Sequence, residues 1–223
     1  METTPWSWGM NVVMAMFPPR AHANIVRHFN VVETALAQFG IDDQQVKLVA
    51  YATIRAEAAN FAPVTEGESR FNTLKLPAEL TPYGEAGKYN LYEGRDKTTT
   101  LLGRRVSGLG NDRMGDGEKY MGRGFVQLTG KANYLKYGQK IGVGSKLVDN
   151  PGLANDPRVA AQILAAYIRE HLRTISEAIR SGDLRSARKA VNGGLNGFTE
   201  FEKAYRTGAR LIRTGLPDPR SIA

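Results

Sequence analysis

Apolar side chains recur at helical spacing over residues 22–39, where Ile25, Phe29, Val32, Leu36 and Phe39 share a face and Gly40 ends the run. Pro18 and Pro19 stand just before it, and Asp42–Asp43 offers a helix cap just after it. From that cap a second stripe (Val46, Val49–Ala50, Thr53–Ile54) predicts a helix whose next turn reaches Glu57. Pro63 closes this helical region. Further helices are predicted over about 131–140, with Thr129 as cap, and over about 157–173, with Val159, Ile163, Tyr167, Ile168 and Leu172 inward. Two more are predicted over about 184–191 and about 199–213, separated by the turn cluster NGGLNG at 192–197.

Residues 64–120 break this pattern. They are rich in Gly, Pro, Thr, Asn and charge, and only Tyr89–Tyr92 reads as a short strand. So long an irregular stretch is functional or disordered, and its aromatics (Phe71, Tyr83, Tyr89, Tyr92) favour an ordered wall of a binding cleft. No internal repeat is visible, and the Pro-containing tail from Gly215 is expected to fray. The expectation is a mainly α fold with at most a small β-hairpin, forming a single domain over 1–223 with its core at about 20–213.

Composition narrows the chemistry. At 223 residues and 42% apolar content, the chain can bury a core without covalent staples. There is no cysteine, so neither a disulfide framework nor a thiolate metal site is available. His22, His28 and His171 are scattered, and no metal site or cofactor is expected from them. The N-terminus lacks a basic n-region, and the apolar run Met10–Phe17 is too short to span a bilayer. We therefore expect no stable membrane insertion, cytoplasmic synthesis, and release by another agent if the target lies outside the inner membrane. A net charge of +8 favours anionic partners such as an anionic cell-wall surface. The basic residues are spread without a run of five, so a solvated positive face and a dedicated binding face both remain open. Nucleic-acid binding would rest on charge alone and is not expected. A monomer is expected.

The carboxylates come next. Glu57 ends an apolar, Ala-rich helix, while Glu66 and Glu68 follow nine and eleven residues later in a loop. A helix-end acid and a loop acid are what an inverting glycosidase requires. One carboxyl is kept protonated by apolar surroundings, and the other is ionised to activate water, roughly 6.5–9.5 Å away. Glu57 suits the acid; Glu66 suits the base, with Glu68 as its rival. Downstream, GRGFVQLTGKANY sets Gln127, Asn133 and Tyr134 beside a glycine turn, neutral hydrogen-bonding groups that suit sugar hydroxyls and N-acetyl amides, and Arg123 joins them as a candidate substrate contact. A phosphate loop is disfavoured because the segment does not read GxxxxGK[ST].

Four segments, in order, resemble the catalytic domain of glycoside hydrolase family 19, the chitinase and phage-endolysin type. They are LVAYATIRAEAANF, YMGRGFVQLTGKANYLKYG, LVDNPGLANDPRVAAQILAAY and RKAVNGGLNGFTEFEKAYR. The second is close to the family's YRGRGxxQLTGxxNYxxxG signature. The resemblance implies a lysozyme-like, bilobal helical fold with a cleft. It also implies inverting hydrolysis of β-1,4 bonds next to N-acetylglucosamine, in peptidoglycan (endolysin or autolysin) or chitin. It places Glu57 at the general acid, Glu66 at the acidic residue nine positions on, and Gln127, Asn133, Tyr134 and Asn192 in the sugar-binding cleft. Relatives commonly read His-Glu-Ser or His-Glu-Thr around the acid. Here Ala56 and Ala58 stand there, so the usual polar neighbours are missing, and a non-catalytic wall-binding protein on this scaffold is a third reading.

Overall fold

Helix-forming stripes and caps organise most of the chain as expected. The computed structural model describes residues 5–67, 73–76, 87–90, 99–101, 104–106, 108–113 and 115–214, with side chains described for 9–67, 108–113 and 115–214. The protein is mainly helical, and among the described residues its strands form three separate two-stranded antiparallel pairs. The chain divides into two compact units, residues 1–62 with 160–223, and residues 63–159.

The first unit contains α1 (Pro5–Met16), α2 (His22–Gln38) and α3 (Gln44–Glu57), joined later by all but the first three residues of α7 (Pro157–Glu170) and by α8 (Leu172–Arg180), α9 (Leu184–Asn192) and α10 (Phe198–Thr214). Asp43 caps α3, its carboxylate accepting from the Val46 N–H at 3.0 Å. The predicted stripes of α2 and α3 are the buried ones: Ile25, Val32, Leu36, Val49 and Ile54 are fully enclosed. Phe29, Tyr51 and Phe61 continue that core as a stack with centroids 5.9 and 6.1 Å apart. Helix α10 lies against α3 at Gly208, where any Cβ would stand 2.5 Å from Leu48 Cδ2, so a bare backbone is what permits the approach.

Three readings change here. Helix α1 covers the N-terminal apolar run and buries Val12, Val13 and Met16. The single helix expected over about 157–173 is two, with His171 between α7 and α8. Of its expected inward residues, Ile163 and Ile168 are buried, whereas Val159, Tyr167 and Leu172 are only half-buried.

The second unit begins with β1 (Val64–Thr65), which pairs with β6 (Arg123–Gly124), Val64 opposite Gly124 and Thr65 opposite Arg123. Strands β2 (Thr73–Leu76) and β3 (Gly87–Asn90) form one hairpin, β4 (Thr99–Leu101) and β5 (Arg104–Val106) another. Of the strand expected at Tyr89–Tyr92, residues 89–90 belong to β3 and residues 91–92 lie outside the described residues, and the described residues hold more strand than the single hairpin foreseen. Short α4 (Asp116–Lys119) and α6 (Lys146–Asp149) flank α5 (Lys131–Lys140), and Phe125, Leu128, Tyr134, Tyr137 and Leu147 form the core. The cap of α5 is not Thr129, whose hydroxyl donates to the Gln127 carbonyl at 2.9 Å. The Lys131 N–H is instead met by the side chain of Asn111, a fully buried residue twenty positions upstream, at 2.9 Å.

Candidate active site

Glu57 closes α3, and its side chain is 17% exposed. Its surroundings are less apolar than the sequence implied. Arg188, on α9 and only 1% exposed, donates from Nη2 to Glu57 Oε1 at 2.5 Å. The Asn192 amide, one turn further along α9, reaches both groups, and the orientation that satisfies its neighbours has its nitrogen donating to the same Oε1 at 3.2 Å and its oxygen accepting from Arg188 Nη2 at 3.2 Å. Oε2 of Glu57 has no partner among the described residues. One carboxylate oxygen is therefore anchored by charge-assisted bonds, while the other remains available to hold and deliver a proton.

Arg188 is itself held from three sides. Its Nε and Nη2 donate to the Asn196 carbonyl at 3.0 and 2.5 Å, and the guanidinium sits 5.8 Å from the Phe201 ring centroid. Nη1 is buried with no partner among the described residues. The NGGLNG cluster turns tightly over the end of α3. At Gly197, with φ +68°, a Cβ would meet Ala56 Cβ at 3.3 Å and Arg188 Nη2 at 3.4 Å. The sequence reading did not single out Arg188 as a site residue. Its one local signal was a basic residue one turn before Asn192 on the helix face that also carries the apolar Leu184 and Val191.

In the second unit, Glu66 follows β1 and is tied to the glycine turn on both sides. Its N–H donates to the Gly122 carbonyl at 2.7 Å, and its Oε2 accepts from the Gly122 N–H at 3.3 Å. A Cβ at Gly122 would lie 2.8 Å from Gln127 Oε1 and 3.0 Å from Glu66 Oε2, so any larger residue there would push those two side-chain ends aside. Gln127 adopts φ +52°, unusual for a non-glycine residue, and its Nε2 donates to the carbonyls of Val64 and Gly124 at 3.0 and 3.2 Å. Asn155, also not foreseen, donates from Nδ2 to Thr65 Oγ1 at 2.6 Å and accepts from the Gly124 N–H at 3.0 Å, clamping β1 to β6. Glu68, the rival base, lies outside the described residues.

The remaining predicted sugar contacts divide. Asn133 is half-buried on α5 and donates to the Thr129 carbonyl at 2.8 Å. Tyr134 is wholly buried and offers a sugar no surface. Its hydroxyl donates to the Met121 carbonyl at 2.8 Å and accepts from Arg123 Nη1 at 3.0 Å, while that Arg123 nitrogen also donates to the Lys119 carbonyl at 2.7 Å. Tyr134 and Arg123 thus brace the glycine turn from behind. Burial pushes the Tyr134 hydroxyl up to about 12 from 10.0, against the opposing pull of Arg123. A folded-state value above the unfolded one means stabilisation that is complete below about pH 10 and is lost as pH rises toward 12. Tyr134→Phe should cost about 0.5–1.5 kcal/mol at neutral pH. It should also flatten the fall of Tm with alkaline pH relative to the parent, read from thermal melts across that window. An unchanged alkaline slope would show that the hydroxyl does not carry this linkage.

Residues 94–169 match the family model for class I chitinases of glycoside hydrolase family 19. Over 100 residues the chain is 34% identical to a glycosyl hydrolase family 19 domain-containing protein of Haemophilus influenzae, a match covering 44% of this chain and 46% of that protein. Over 44 residues it is 52% identical to an acidic 26 kDa endochitinase of Solanum lycopersicum and to the acidic endochitinase pcht28 of Solanum chilense, covering 19% of this chain and 17% of each. The matches thus span less than half the length of each of these relatives. The family-matched region contains Arg123, Gln127, Asn133 and Tyr134, the braced glycine turn and the start of α5, while Glu57, Glu66 and Asn192 lie outside it. That turn thus lies within the stretch of the chain that is similar to glycoside hydrolase family 19.

Proposed function

We propose that this protein is a glycoside hydrolase that cleaves β-1,4 bonds next to N-acetylglucosamine in peptidoglycan, with inversion, using Glu57 as general acid and Glu66 as general base. The observation that carries the reading is the asymmetric Glu57 carboxylate. Oε1 is fixed by Arg188 and Asn192, and Oε2 is left to protonate the departing glycosidic oxygen. In the base role Glu66 takes a proton from water as that water attacks the anomeric carbon. The bond to the departing oxygen breaks with its electron pair, and Glu57 supplies the proton that neutralises it. The carboxylates exchange protonation states and are reset by solvent. Glu66 is suited to holding such a water because the Gly122 N–H fixes the orientation of its carboxylate. Gln127 and Asn133 supply amides for the N-acetyl and hydroxyl groups of the sugar.

Peptidoglycan is favoured over chitin by charge, since a chain of net charge +8 is attracted to an anionic wall and gains nothing from neutral chitin. The second reading, a chitinase, is supported by the plant relatives' names. Isolated sacculi and colloidal chitin, each incubated with purified protein and analysed by mass spectrometry, separate the two. New reducing ends from sacculi alone are expected. Release from chitin alone would replace this substrate with the second, and binding to both without new ends would leave only a wall-binding role.

A further inference from the structure

A second polar cluster lies in the first unit, well before Glu57 along α3. Glu33 of α2 accepts from the Tyr51 hydroxyl on Oε1 and from Lys47 Nζ on Oε2, the latter at 2.7 Å. This cluster forms one end of a cavity of about 570 Å³, within the range of roughly 300–1,000 Å³ that takes small organic ligands. The rest of the wall is mostly apolar, with Val13, Phe29, Leu48 and Ile212 contributed by four different helices. The cavity is firmly framed, because α10 is locked onto α3 at Gly208, four residues before Ile212.

We propose that this cavity binds a single-chain amphiphile with an anionic head, the aliphatic chain lying along the apolar wall and the head against Lys47. The polar end decides the sign of the head. Both Glu33 oxygens are engaged by Tyr51 and Lys47, so its charge is largely answered within the protein. Tyr51 is neutral, its hydroxyl held well above its ordinary range by burial and then by Glu33. Lys47 is 24% exposed and spends one of its three N–H donors on Glu33. It stands in the first turn of α3, together with Gln44, which also lines the cavity, so the positive end of that helix adds to the ammonium. Asp43, the acidic residue nearest this helix start, turns its carboxylate onto the Val46 N–H and does not line the cavity. Glu33 and Lys47 cancel in net charge, so what favours an anionic head is the pair of N–H donors that Lys47 keeps beside the first turn of α3, where Glu33 has both oxygens already engaged. Nothing in this reading depends on hydrolysis, so it stands or falls independently of the proposed activity.

The test is calorimetric titration of the full chain with dodecanoate, dodecyl maltoside and dodecyltrimethylammonium, each below its micelle concentration, and with anionic phospholipid vesicles. Dodecanoate should bind saturably, one per chain, and at least ~10-fold tighter than the cationic amphiphile, corresponding to about 1.4 kcal/mol. Lys47→Met should weaken dodecanoate by a similar factor and leave the maltoside unchanged, while Lys47→Arg retains binding. Ala37→Trp, a substitution at the exposed rim, should block every amphiphile without lowering Tm. Equal or tighter binding of the cationic amphiphile overturns the proposal. So does dodecanoate binding that neither Lys47→Met nor Ala37→Trp alters, or attachment to vesicles with no binding of monomeric dodecanoate.

Discussion

Glu57→Gln should lower kcat by about 10²–10⁴-fold, the range a positioned general acid contributes. The substitution preserves shape. The Gln side-chain oxygen can still accept from Arg188 Nη2 and from Asn192, so the turn over Ala56 keeps its geometry. What is lost is the proton that Oε2 would deliver. Because that proton matters only as the glycosidic bond breaks, KM should change little, and kcat and kcat/KM should fall together. Initial rates on sacculi, with binding of a soluble muropeptide fragment as the control, separate chemistry from substrate capture. Undiminished hydrolysis by Glu57→Gln would remove Glu57 from the mechanism. Running Glu66→Gln and Glu68→Gln beside it assigns the base, with Glu66 expected to lose by a comparable factor and Glu68 to be almost silent.

How far this site could be read from the chain depends on how local each element is. Helices α2, α3, α5, α9 and α10 were legible to within about two residues because stripe and cap are both written in consecutive sequence. Helix α1 carries apolar residues around much of its circumference, so no polar–apolar alternation announces it. The hairpins β2–β3 and β4–β5 depend on pairing partners rather than on any pattern within one strand. The neighbourhood of Glu57 shows the same limit. Ala56 and Ala58 suggested an acid without polar company, yet Arg188 supplies that company from 131 positions away. Asn111 replaces Thr129 as the cap of α5 for the same reason, a partner brought in by tertiary structure. Conversely, Tyr134 belongs to the most recognisable motif in the chain and proves to be core. A motif marks which residues matter to the turn but does not separate those that face solvent from those that hold it in place.

Arg188→Met is the second large effect, and its energetics run in two directions. Removing one member of a buried ion pair typically costs ~3–5 kcal/mol. Two features reduce that here. Glu57 is partly exposed, so water can solvate a carboxylate left behind. The buried Nη1, without a partner among the described residues, already carries a desolvation cost of about 1–3 kcal/mol that methionine would relieve. A fall in stability of about 1–3 kcal/mol is therefore expected, driven mainly by loss of the donors to Asn196. The effect on catalysis should exceed what that fall implies. Without Arg188, Oε1 keeps only the Asn192 amide, the carboxyl is free to rotate, and a misplacement of about 1 Å costs roughly 10²-fold in rate. Arg188→Lys retains the charge but cannot bond Asn196 through two nitrogens and Glu57 at once, so it should recover stability more than rate. Combining Arg188→Met with Glu57→Gln tests the mechanism of the effect. If Arg188 acts through Glu57, the double variant should be scarcely slower than Glu57→Gln alone. Fully additive losses would instead mean that Arg188 touches the substrate on its own account.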